Sequence, residues 1–401
     1  MADTPRINWI LFALYVIMTV GVLIAAMVSP AVRSVAYAPL RDLVVPPPKP
    51  IVVDVLYSTE KAAWITEAVT QFEQARHTVD GHPIELELKK MGSREMYLSI
   101  LDGVEQPDVM SPASSLQVSL LQDLSASKFG QPLVDKNDPN ICRPMLLTPV
   151  VLVAWKERAD ALWGDDPNGQ MWLRLHDALV EPNGWEAYGH PEWGYIKFSH
   201  TNPLKSNSGF QTILLMTYNY FGKTSGLTSA DILSDRDYQE WFIEFESTIS
   251  EFGDSTGTYM EKIISYGPSL YDMVAVYEAT AIEHAENAVG RYGELQVYYP
   301  PSTHLSDHPF CVLDGDWVTP EETRASQLFI EFLESKEMQA LALLEHGFRP
   351  IDDTIPLDQP GSPLLTYADN GIHLEIPEAV EVPEGNVLNT LLEFWGRNIQ
   401  R

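Results

Sequence analysis

Three short polar loops hold the residues of this sequence that could bind a small solute. Ser58 and Thr59 follow one apolar run, residues 111–115 (SPASS) follow another, and residues 206–209 (SNSG) precede an apolar helical pattern. Hydroxyl groups and free backbone N–H groups at a helix N-terminus can bind an anion or a carboxylate. The same residue types are preferred as helix N-caps, so each loop alone also has a purely structural interpretation. Three such loops at one sheet edge favour a shared binding site.

Length, composition and charge describe a globular protein that does not bind nucleic acid. The chain has 401 residues, of which 45% are hydrophobic and 20% charged, and this length is sufficient for two domains. The formal net charge of −30 argues against nucleic acid or an anionic membrane surface as the main partner. Local donors would therefore have to hold any bound anion. The sequence contains no HExxH, GxxxxGK[ST] or CxxC motif, and neither an enzyme nor a cofactor is predicted.

The first fifty residues indicate a membrane attachment followed by a stiff spacer. Residues 9–28 carry no charge, and as a helix they would be about 30 Å long, the thickness of a bilayer core. We expect an uncleaved transmembrane anchor, with a cleaved signal segment as the alternative. Residues 29–50 end in PPPKP and are predicted to form an extended linker.

Strand and helix patterns alternate along the rest of the chain, which predicts α/β domains with parallel strands. In such sheets ligands bind beyond the carboxyl ends of the strands. The predicted strands are 51–57, 83–88, 107–110, 145–155, 273–277 and 295–299. The predicted helices include 94–101, 238–252, 258–265, a single long helix 321–345, and 387–395.

The scattered histidines, one serine-rich string and the two cysteines are interpreted structurally. His304 and His308 are four residues apart, but the prolines around them exclude a helix, so we expect solvated loop histidines. Residues 123–127 match the DxSxS string of some metal sites, yet their surroundings have helical spacing, and no metal is predicted. Cys142 and Cys311 fit either one disulfide or two separate buried thiols.

Several stretches resemble those of bacterial type II periplasmic solute-binding proteins, above all the sulfate, thiosulfate and molybdate branch. In order they are STEK, PDVMSPASS, NPLKSNSG, MVAVYEATA, YPPSTHLSDHPFCVLDG and GFRP, and they cover residues 51 to about 352. A group of membrane-anchored binding proteins, often joined to a von Willebrand A domain, is still more similar. It shares stretches like HPEWG, SNSG, SDHP, WVTP and GFRP. The ligand loops match in residue type and not residue for residue.

The resemblance implies a two-lobed type II periplasmic-binding-protein fold whose lobes close on a ligand about two crossing strands, 145–155 and 273–277. Lobe I would comprise residues 51–149 and 276–352, lobe II residues 150–275, and residues 353–401 would be an extension that packs on lobe I. The residues expected to bind the ligand are Ser58, Thr59, Ser114, Ser115, Ser206, Asn207, Ser208, Gly209, Tyr277 and Glu278.

The function implied is capture of a small ligand outside the cytoplasm for an ABC-type transporter. The hydroxyl, amide and backbone donors suit an oxyanion or a small organic anion, although Glu278 would favour a cation or a neutral solute. The expected partners are an ABC permease or a von Willebrand A domain, with a single-pass attachment to the cell membrane. An anchored sensory or assembly module using the same cleft is the alternative that the sequence does not separate from transport.

Overall fold

The structure is a computed structural model that describes residues 9–29, 48–164 and 170–399. Its contacts divide into a small unit, which holds the N-terminal helix and residues 78–83, and a large unit with nearly all other elements. Trp9–Val28 forms the N-terminal helix, and most of its large apolar side chains are exposed. Among the described helices, none combines the length and the apolarity that a membrane crossing requires. Residues 30–47, with most of the predicted linker, lie outside the described residues.

The described strands belong to two sheets. In chain order they are β1 (Ile51–Tyr57), β2 (Thr78–Val79), β3 (His82–Lys90), β4 (Val109–Ser111), β5 (Cys142–Arg143), β6 (Leu146–Trp155), β7 (Phe198–Ser199), β8 (Met273–Tyr277), β9 (Leu295–Tyr298), β10 (Leu305–Ser306), β11 (Phe310–Val312) and β12 (Arg349–Pro350). Within the large unit, sheet A has the order β3-β1-β4-β11-β5. Sheet B has the order β10-β6-β8-β7, and β9 and β12 also pair with β6.

The α-helices surround these sheets. They are α1 (Trp9–Val28), α2 (Ala62–Ala75), α3 (Ser93–Leu101), α4 (Ser115–Phe129), α5 (Lys156–Trp163), α6 (Met171–Leu179), α7 (Asn207–Tyr220), α8 (Ser229–Ser234), α9 (Arg236–Ser247), α10 (Thr256–Tyr266), α11 (Glu278–Ala288), α12 (Pro320–Leu333), α13 (Lys336–His346), α14 (Pro363–Thr366) and α15 (Gly385–Asn398). The DxSxS string lies inside α4, as its helical spacing indicates.

Sheet A places two polar loops side by side. Strands β1 and β4 are parallel neighbours, with Tyr57 paired to Ser111, so both strands end at the same sheet edge. Strand β11 then pairs antiparallel with β4 and with β5, where Cys311 lies opposite Cys142. The structure joins these two cysteines as a disulfide.

Sheet B is built on the long buried strand β6. The two strands predicted to form a hinge lie next to each other, with β6 antiparallel to β8 from Val150↔Tyr277 to Ala154↔Met273. The beginning of β6 also pairs with β10, where Leu305 lies opposite Pro149. Tyr277 and the β10 residues are therefore held beside the same strand, which brings the segment around His304 and His308 close to the end of β8.

One predicted helix is wrong in its length. The continuous helix expected over 321–345 ends at Leu333, and Ser335 starts the separate helix α13 by accepting a hydrogen bond from the Met338 N–H at 3.4 Å. A serine that caps its own helix competes with a continuous backbone ladder. In α13, Ala342 and Leu343 are buried, whereas Leu341 is only partly covered.

The C-terminal helix contacts helices from both parts of the chain that were predicted to form lobes. Helix α15 lies against α8 and the aromatic side chains of α9, and it also reaches α4. Trp395 Nε1 donates a 2.6 Å hydrogen bond to Glu246, and the Phe394 and Phe242 ring centroids are 5.7 Å apart. The apolar face of α15 is therefore covered by α8 and α9 on one side and by α4 on another.

Candidate functional site

The polar loops that follow the two sheets meet in the large unit. The Ser58 N–H donates to the Ser111 carbonyl at 3.0 Å, which ties together the loops after β1 and β4. From α4, the Gln117 side-chain amide donates to Asn207 Oδ1 of α7 at 2.9 Å. Helix α10 packs against the turn Thr59–Lys61. Loops from both sheets thus enclose one group of buried polar side chains, here called the polar cluster: Lys61, Ser111, Gln117, Asn207, Tyr277, Ser306 and His308.

Lys61 is the buried cation of the polar cluster. Its Nζ donates to the carbonyl oxygens of Ser111 at 3.0 Å and Pro112 at 2.9 Å, and it lies 3.3 Å from His308 Nδ1. Burial lowers the pKa of Lys61 to about 7, and the nearby carboxylates of Glu60 and Asp307 oppose that shift. Buried ammonium groups lose hydration, so a neutral set of acceptors only partly compensates the charge.

Asn207 connects the polar cluster to sheet B. Its Nδ2 donates to the Tyr277 hydroxyl at 3.0 Å and lies 3.5 Å from Ser306 Oγ. Ser306 in turn donates to Gln211 Oε1 at 3.1 Å, and Gln211 Nε2 lies 2.8 Å from His304 Nδ1. Burial raises the pKa of Tyr277, so its hydroxyl keeps its proton. The result is a continuous hydrogen-bonded chain between α4 and β10.

Several buried polar atoms in and beside this hydrogen-bond network have no hydrogen-bond partner within the described residues. Within the described part of the chain, those without a hydrogen bond include Ser111 Oγ, Gln117 Oε1, His304 Nε2 and His308 Nε2. Buried polar groups in folded proteins are nearly always hydrogen-bonded, and leaving one unsatisfied costs about 1 to 3 kcal/mol. The concentration of such atoms around Asn207 and Tyr277 therefore marks a place where a polar molecule completes the network. The described residues include no group of three or more His, Cys, Asp and Glu side chains suited to a metal ion.

Comparison with known families agrees with this geometry. The sequence profile of the family described as bacterial extracellular solute-binding proteins matches residues 53–349. The chain belongs to this family. Its members bind solutes and are not enzymes, and the matched range contains every residue of the polar cluster.

Solved structures share the two-lobed α/β fold of this solute-binding protein. The periplasmic binding protein AfuA from Actinobacillus pleuropneumoniae, with fructose-6-phosphate bound, aligns with a TM-score of 0.59 at 16% identity over 87% of this chain and 99% of its own. A periplasmic thiamin binding protein gives 0.60 at 13% identity over 88% and 97%. The sulfate-binding protein SubI from Mycobacterium tuberculosis H37Rv gives 0.50 at 16% identity over 86% and 96%.

Two uncharacterized Mycobacterium tuberculosis proteins, from two strains, are similar in sequence to this solute-binding protein. Each is 21% identical over 296 residues, which are 72% of this chain but 38% of the relative. The chain thus spans well under half the length of the curated relatives it matches.

The predicted ligand-binding serines in the loops that follow sheet A form hydrogen bonds within this solute-binding protein. The Ser58 hydroxyl donates to Glu60 at 2.5 Å, and Thr59 is partly exposed beside it. Ser114 caps α4 by accepting a hydrogen bond from the Leu116 N–H at 3.2 Å. The N–H and hydroxyl of Ser115 both donate to the Asp307 carboxylate. The side chain of Ser114 therefore acts as a helix cap.

The residues predicted after sheet B divide into two groups. Asn207 and Tyr277 belong to the polar cluster, as described above. Ser206 is the N-cap of α7, and the hydroxyl of Ser208 lies 2.8 Å from that of Thr201 and 2.7 Å from that of Thr256. The Gly209 N–H donates to Thr201 Oγ1 at 2.8 Å. Through these hydrogen bonds Ser208 and Gly209 fasten the start of α7 to neighbouring segments.

Glu278, expected at the hinge wall, is paired within the protein. Its carboxylate accepts two hydrogen bonds of 2.8 Å from the Arg349 guanidinium and one from the Tyr299 hydroxyl. The glutamate is fully buried, and Arg349 also donates to the carbonyl oxygens of His373 and Leu374. This pair joins α11 to β12 and to the C-terminal extension.

The interpretation of His304 and His308 as solvated loop histidines is wrong. His304 is 3% exposed and His308 is fully buried, because Tyr277 and Phe348 cover the His308 ring at centroid distances of 6.1 and 5.2 Å. Lys61, Ser111 and Gln117 were also absent from the predicted set. Lys61 and Ser111 lie within the STEK and SPASS stretches, but the charge of a lysine alone predicts an exposed side chain.

Proposed function

We propose that this solute-binding protein captures a small anion in the polar cluster, between the loops that follow sheet A and those that follow sheet B, for delivery to an ABC-type transporter. The observation that carries the proposal is the hydrogen bond from Gln117 to Asn207, which closes over buried polar atoms that lack partners. A ligand enclosed there would supply those partners.

The chemistry of the donors favours an anion. Ser111 offers an unpartnered hydroxyl beside the buried ammonium of Lys61, and Tyr277 keeps its proton. Hydrogen bonds to a charged group contribute about 1.5 to 3 kcal/mol each, more than neutral pairs. Glu60 and Asp307 are the opposing charges nearby, and both accept hydrogen bonds from serine hydroxyls. The solutes named for AfuA and SubI are anions, whereas thiamin is not, so the shared fold alone does not indicate which ligand binds. The proposal of an anion therefore rests on the hydrogen-bond donors of the polar cluster.

Entry of the solute requires the loops of the two sheets to separate. A groove of about 690 Å³ lies where they meet, and its wall combines Gly92 and α3 residues on one side with Leu204, Lys205, Asp254 and Ser255 on the other. At Gly92 a Cβ atom would lie 3.1 Å from the Lys205 carbonyl oxygen, so the two sides touch there. We assign residues 51–149 and 276–352 to one moving lobe and 150–275 to the other, with the groove as the entrance.

Membrane attachment is a separate part of the proposal and rests on the sequence alone. The uncharged residues 9–28 are proposed to anchor the chain, with the binding body outside the cytoplasm and an ABC permease as its partner. Fractionation with alkaline carbonate tests this part: an anchored chain stays with the membranes, and recovery in the soluble fraction would refute it.

A thermal-shift screen tests the binding proposal. We expect sulfate, thiosulfate, molybdate, phosphate, sugar phosphates and small carboxylates to include at least one compound that stabilises the purified full chain. A ligand at 100 times its Kd stabilises the folded state by about 2.7 kcal/mol. The variant Ser111→Ala should weaken the shift, whereas Ser326→Ala, a buried serine of α12 outside the polar cluster, should preserve it. No shift with any of these anions would refute the anion proposal, and a shift unchanged by Ser111→Ala would place the site elsewhere.

A further inference from the structure

His308 is held in an unusual backbone conformation next to Lys61. It lies between β10 and β11 with a φ of 41°, in the left-handed region that residues other than glycine rarely adopt. Its N–H donates to the Ala113 carbonyl at 3.1 Å, and the preceding Asp307 carbonyl accepts from the Met145 N–H at 2.9 Å. Such conformations persist where the surrounding structure fixes them, and they concentrate at binding sites. The backbone therefore holds the His308 ring in one place.

The ring has one satisfied nitrogen and one unsatisfied nitrogen. His308 Nδ1 lies 3.3 Å from Lys61 Nζ, and His308 Nε2 has no partner among the described residues. A protonated lysine can only donate, so Nδ1 must accept and the ring proton must sit on Nε2. Burial and the Lys61 charge keep the pKa of His308 well below its ordinary value, so the ring is neutral.

Lys61 itself does not reach a ligand. Its ammonium group has three protons, and these are directed at the Ser111 carbonyl, the Pro112 carbonyl and His308 Nδ1. The unpartnered Ser111 hydroxyl belongs to the residue whose carbonyl Lys61 holds. Lys61 thus fixes the positions of the Ser111 hydroxyl and the His308 Nε2–H. Its own positive charge lies behind these two donors.

We propose that the Nε2–H of His308 donates a hydrogen bond to an anionic oxygen of the bound solute, and that Lys61 is the positioning residue that selects this tautomer. The inference rests on the proposed function, since it requires an anion in the polar cluster. A carboxylate, sulfate or phosphate oxygen would serve equally, because each accepts from an N–H donor. Proton uptake accompanies binding whenever Lys61 is neutral in the free protein.

The other charged groups near His308 set the pH dependence. Glu60 Oε1 is 3.6 Å from His308 Nδ1, Asp307 precedes it in the chain, and the Tyr277 ring packs beside it. When Lys61 loses its proton, its lone pair can accept from Nδ1, and Nε2 then becomes an acceptor that repels an anion. Because the pKa of Lys61 is about 7 in the free protein, anion affinity should fall as the pH rises through that value. A bound anion raises this pKa, so the fall continues above it.

Binding measurements and nitrogen NMR on the full chain test the inference, with the anion that gives the largest thermal shift as probe. His308→Phe removes the donor while keeping an aromatic ring, and we expect its affinity to fall about 10- to 100-fold. His284→Phe, on α11 outside the polar cluster, should bind like the wild type. In long-range proton–nitrogen spectra, His308 should carry its proton on Nε2 at pH 6, and the Nε2 signal should shift on binding. Lys61→Met should yield a mixture of tautomers and a flatter pH profile of affinity.

The outcomes separate this inference from the proposed function. If no anion binds the wild-type chain, the proposed function fails and the inference fails with it. If an anion binds but His308→Phe binds equally well, or if His308 carries its proton on Nδ1 at pH 6, only the inference is refuted. Circular dichroism of each variant establishes that a lost affinity does not come from a lost fold. If His308→Phe does not fold, the Nε2 shift in the wild type decides the question, since an unchanged shift refutes the contact.

Discussion

Gln117 and Asn207 are joined by a 2.9 Å hydrogen bond, although they lie in the first turns of two helices that come after strands of different sheets. Gln117 lies in the first turn of α4, after β4, and Asn207 is the first residue of α7. Asn207 also donates to Tyr277 at the end of β8. The two amides therefore link the loops of the two sheets, and this link is here called the latch. Under the proposed function the latch opens when a solute enters or leaves.

The latch should contribute to solute affinity through both partners together. We expect Gln117→Met and Asn207→Ala each to weaken binding of the anion found by thermal shift by about 10-fold or more, because both remove the latch hydrogen bond, worth about 1 kcal/mol, and loosen the closed form. Asn207→Ala also removes the hydrogen bond to Tyr277 and should have the larger effect. The loss in the double variant should be smaller than the sum of the two single losses by a coupling of about 0.5 to 1.5 kcal/mol. Isothermal titration of the four proteins measures the cycle. Additive effects would show that the two side chains do not act across the closing loops.

Many strands and helices around the latch were predictable from the sequence, because local residue patterns determine them. The strands 51–57 and 273–277 have the bounds that their largely apolar sequences predict. The five apolar residues Trp64, Ile65, Ala68, Val69 and Phe72 recur at helical spacing and form the buried face of α2. Comparable local signals place Asn207 at the start of a helix.

The use of each polar side chain was much less predictable, because it depends on residues far away in the sequence. Ser115 bonds to Asp307, and Lys61 lies beside His308, pairs that are separated by 192 and 247 residues. A serine at a strand end that caps a helix has the same sequence signature as one that binds a ligand. The contacts in the structure distinguish them: Ser114 accepts from the nearby Leu116 N–H, whereas Ser208 bonds to the distant Thr256. Burial of His308 likewise depends on aromatic rings from β8 and from residue 348.

Gly209 should be intolerant of any side chain. A Cβ atom on Gly209 would lie 1.8 Å from the Thr201 carbonyl oxygen and 2.6 Å from its carbonyl carbon, and these backbone atoms cannot turn away. We expect Gly209→Ala to lower the free energy of unfolding by about 3 kcal/mol or more, because overpacking forces the start of α7 to shift. Urea denaturation measures the loss.

Gly257 provides the matched control for Gly209. It lies in the first turn of α10, and a Cβ atom added there would have no other atom within 4 Å, so an alanine fits. Gly257→Ala should raise the free energy of unfolding by up to about 1 kcal/mol, since alanine has the higher helix propensity. Equal effects of the two substitutions would contradict the close packing of Gly209 against Thr201.

The buried pair of Glu278 and Arg349 should matter for stability more than for solute binding. Removing one partner leaves an uncompensated buried charge, so Glu278→Leu and Arg349→Leu should each destabilise the fold by about 3 to 5 kcal/mol. The double variant should recover most of that loss, because neither charge then remains alone. At the surface, breaking the exposed pair of Arg397 and Glu393 should change stability by no more than about 0.5 kcal/mol.

The double variant also tests whether Glu278 contacts the solute. If its role is structural, Glu278→Leu with Arg349→Leu should bind the anion with an affinity within about threefold of the wild type, because neither side chain then contacts the ligand. Titration calorimetry makes the comparison. A gain in anion affinity of an order of magnitude or more would indicate that the carboxylate faces the ligand and repels it.

The buried position of Lys61 predicts a stability that increases with pH above neutrality. The folded-state pKa of Lys61 is about 7, below its ordinary value of 10.5, so between these values the unfolded chain holds a proton that the folded chain has released. Unfolding then takes up a proton, and the free energy of unfolding rises with pH by at most about 1.4 kcal/mol per pH unit. Below pH 7 both states are protonated, and this contribution is lost. Urea denaturation at pH 7, 8 and 9, before the tyrosines titrate, should show a smaller rise in Lys61→Met than in the wild-type chain. Parallel pH profiles for the two proteins would mean that Lys61 keeps its proton when the chain folds.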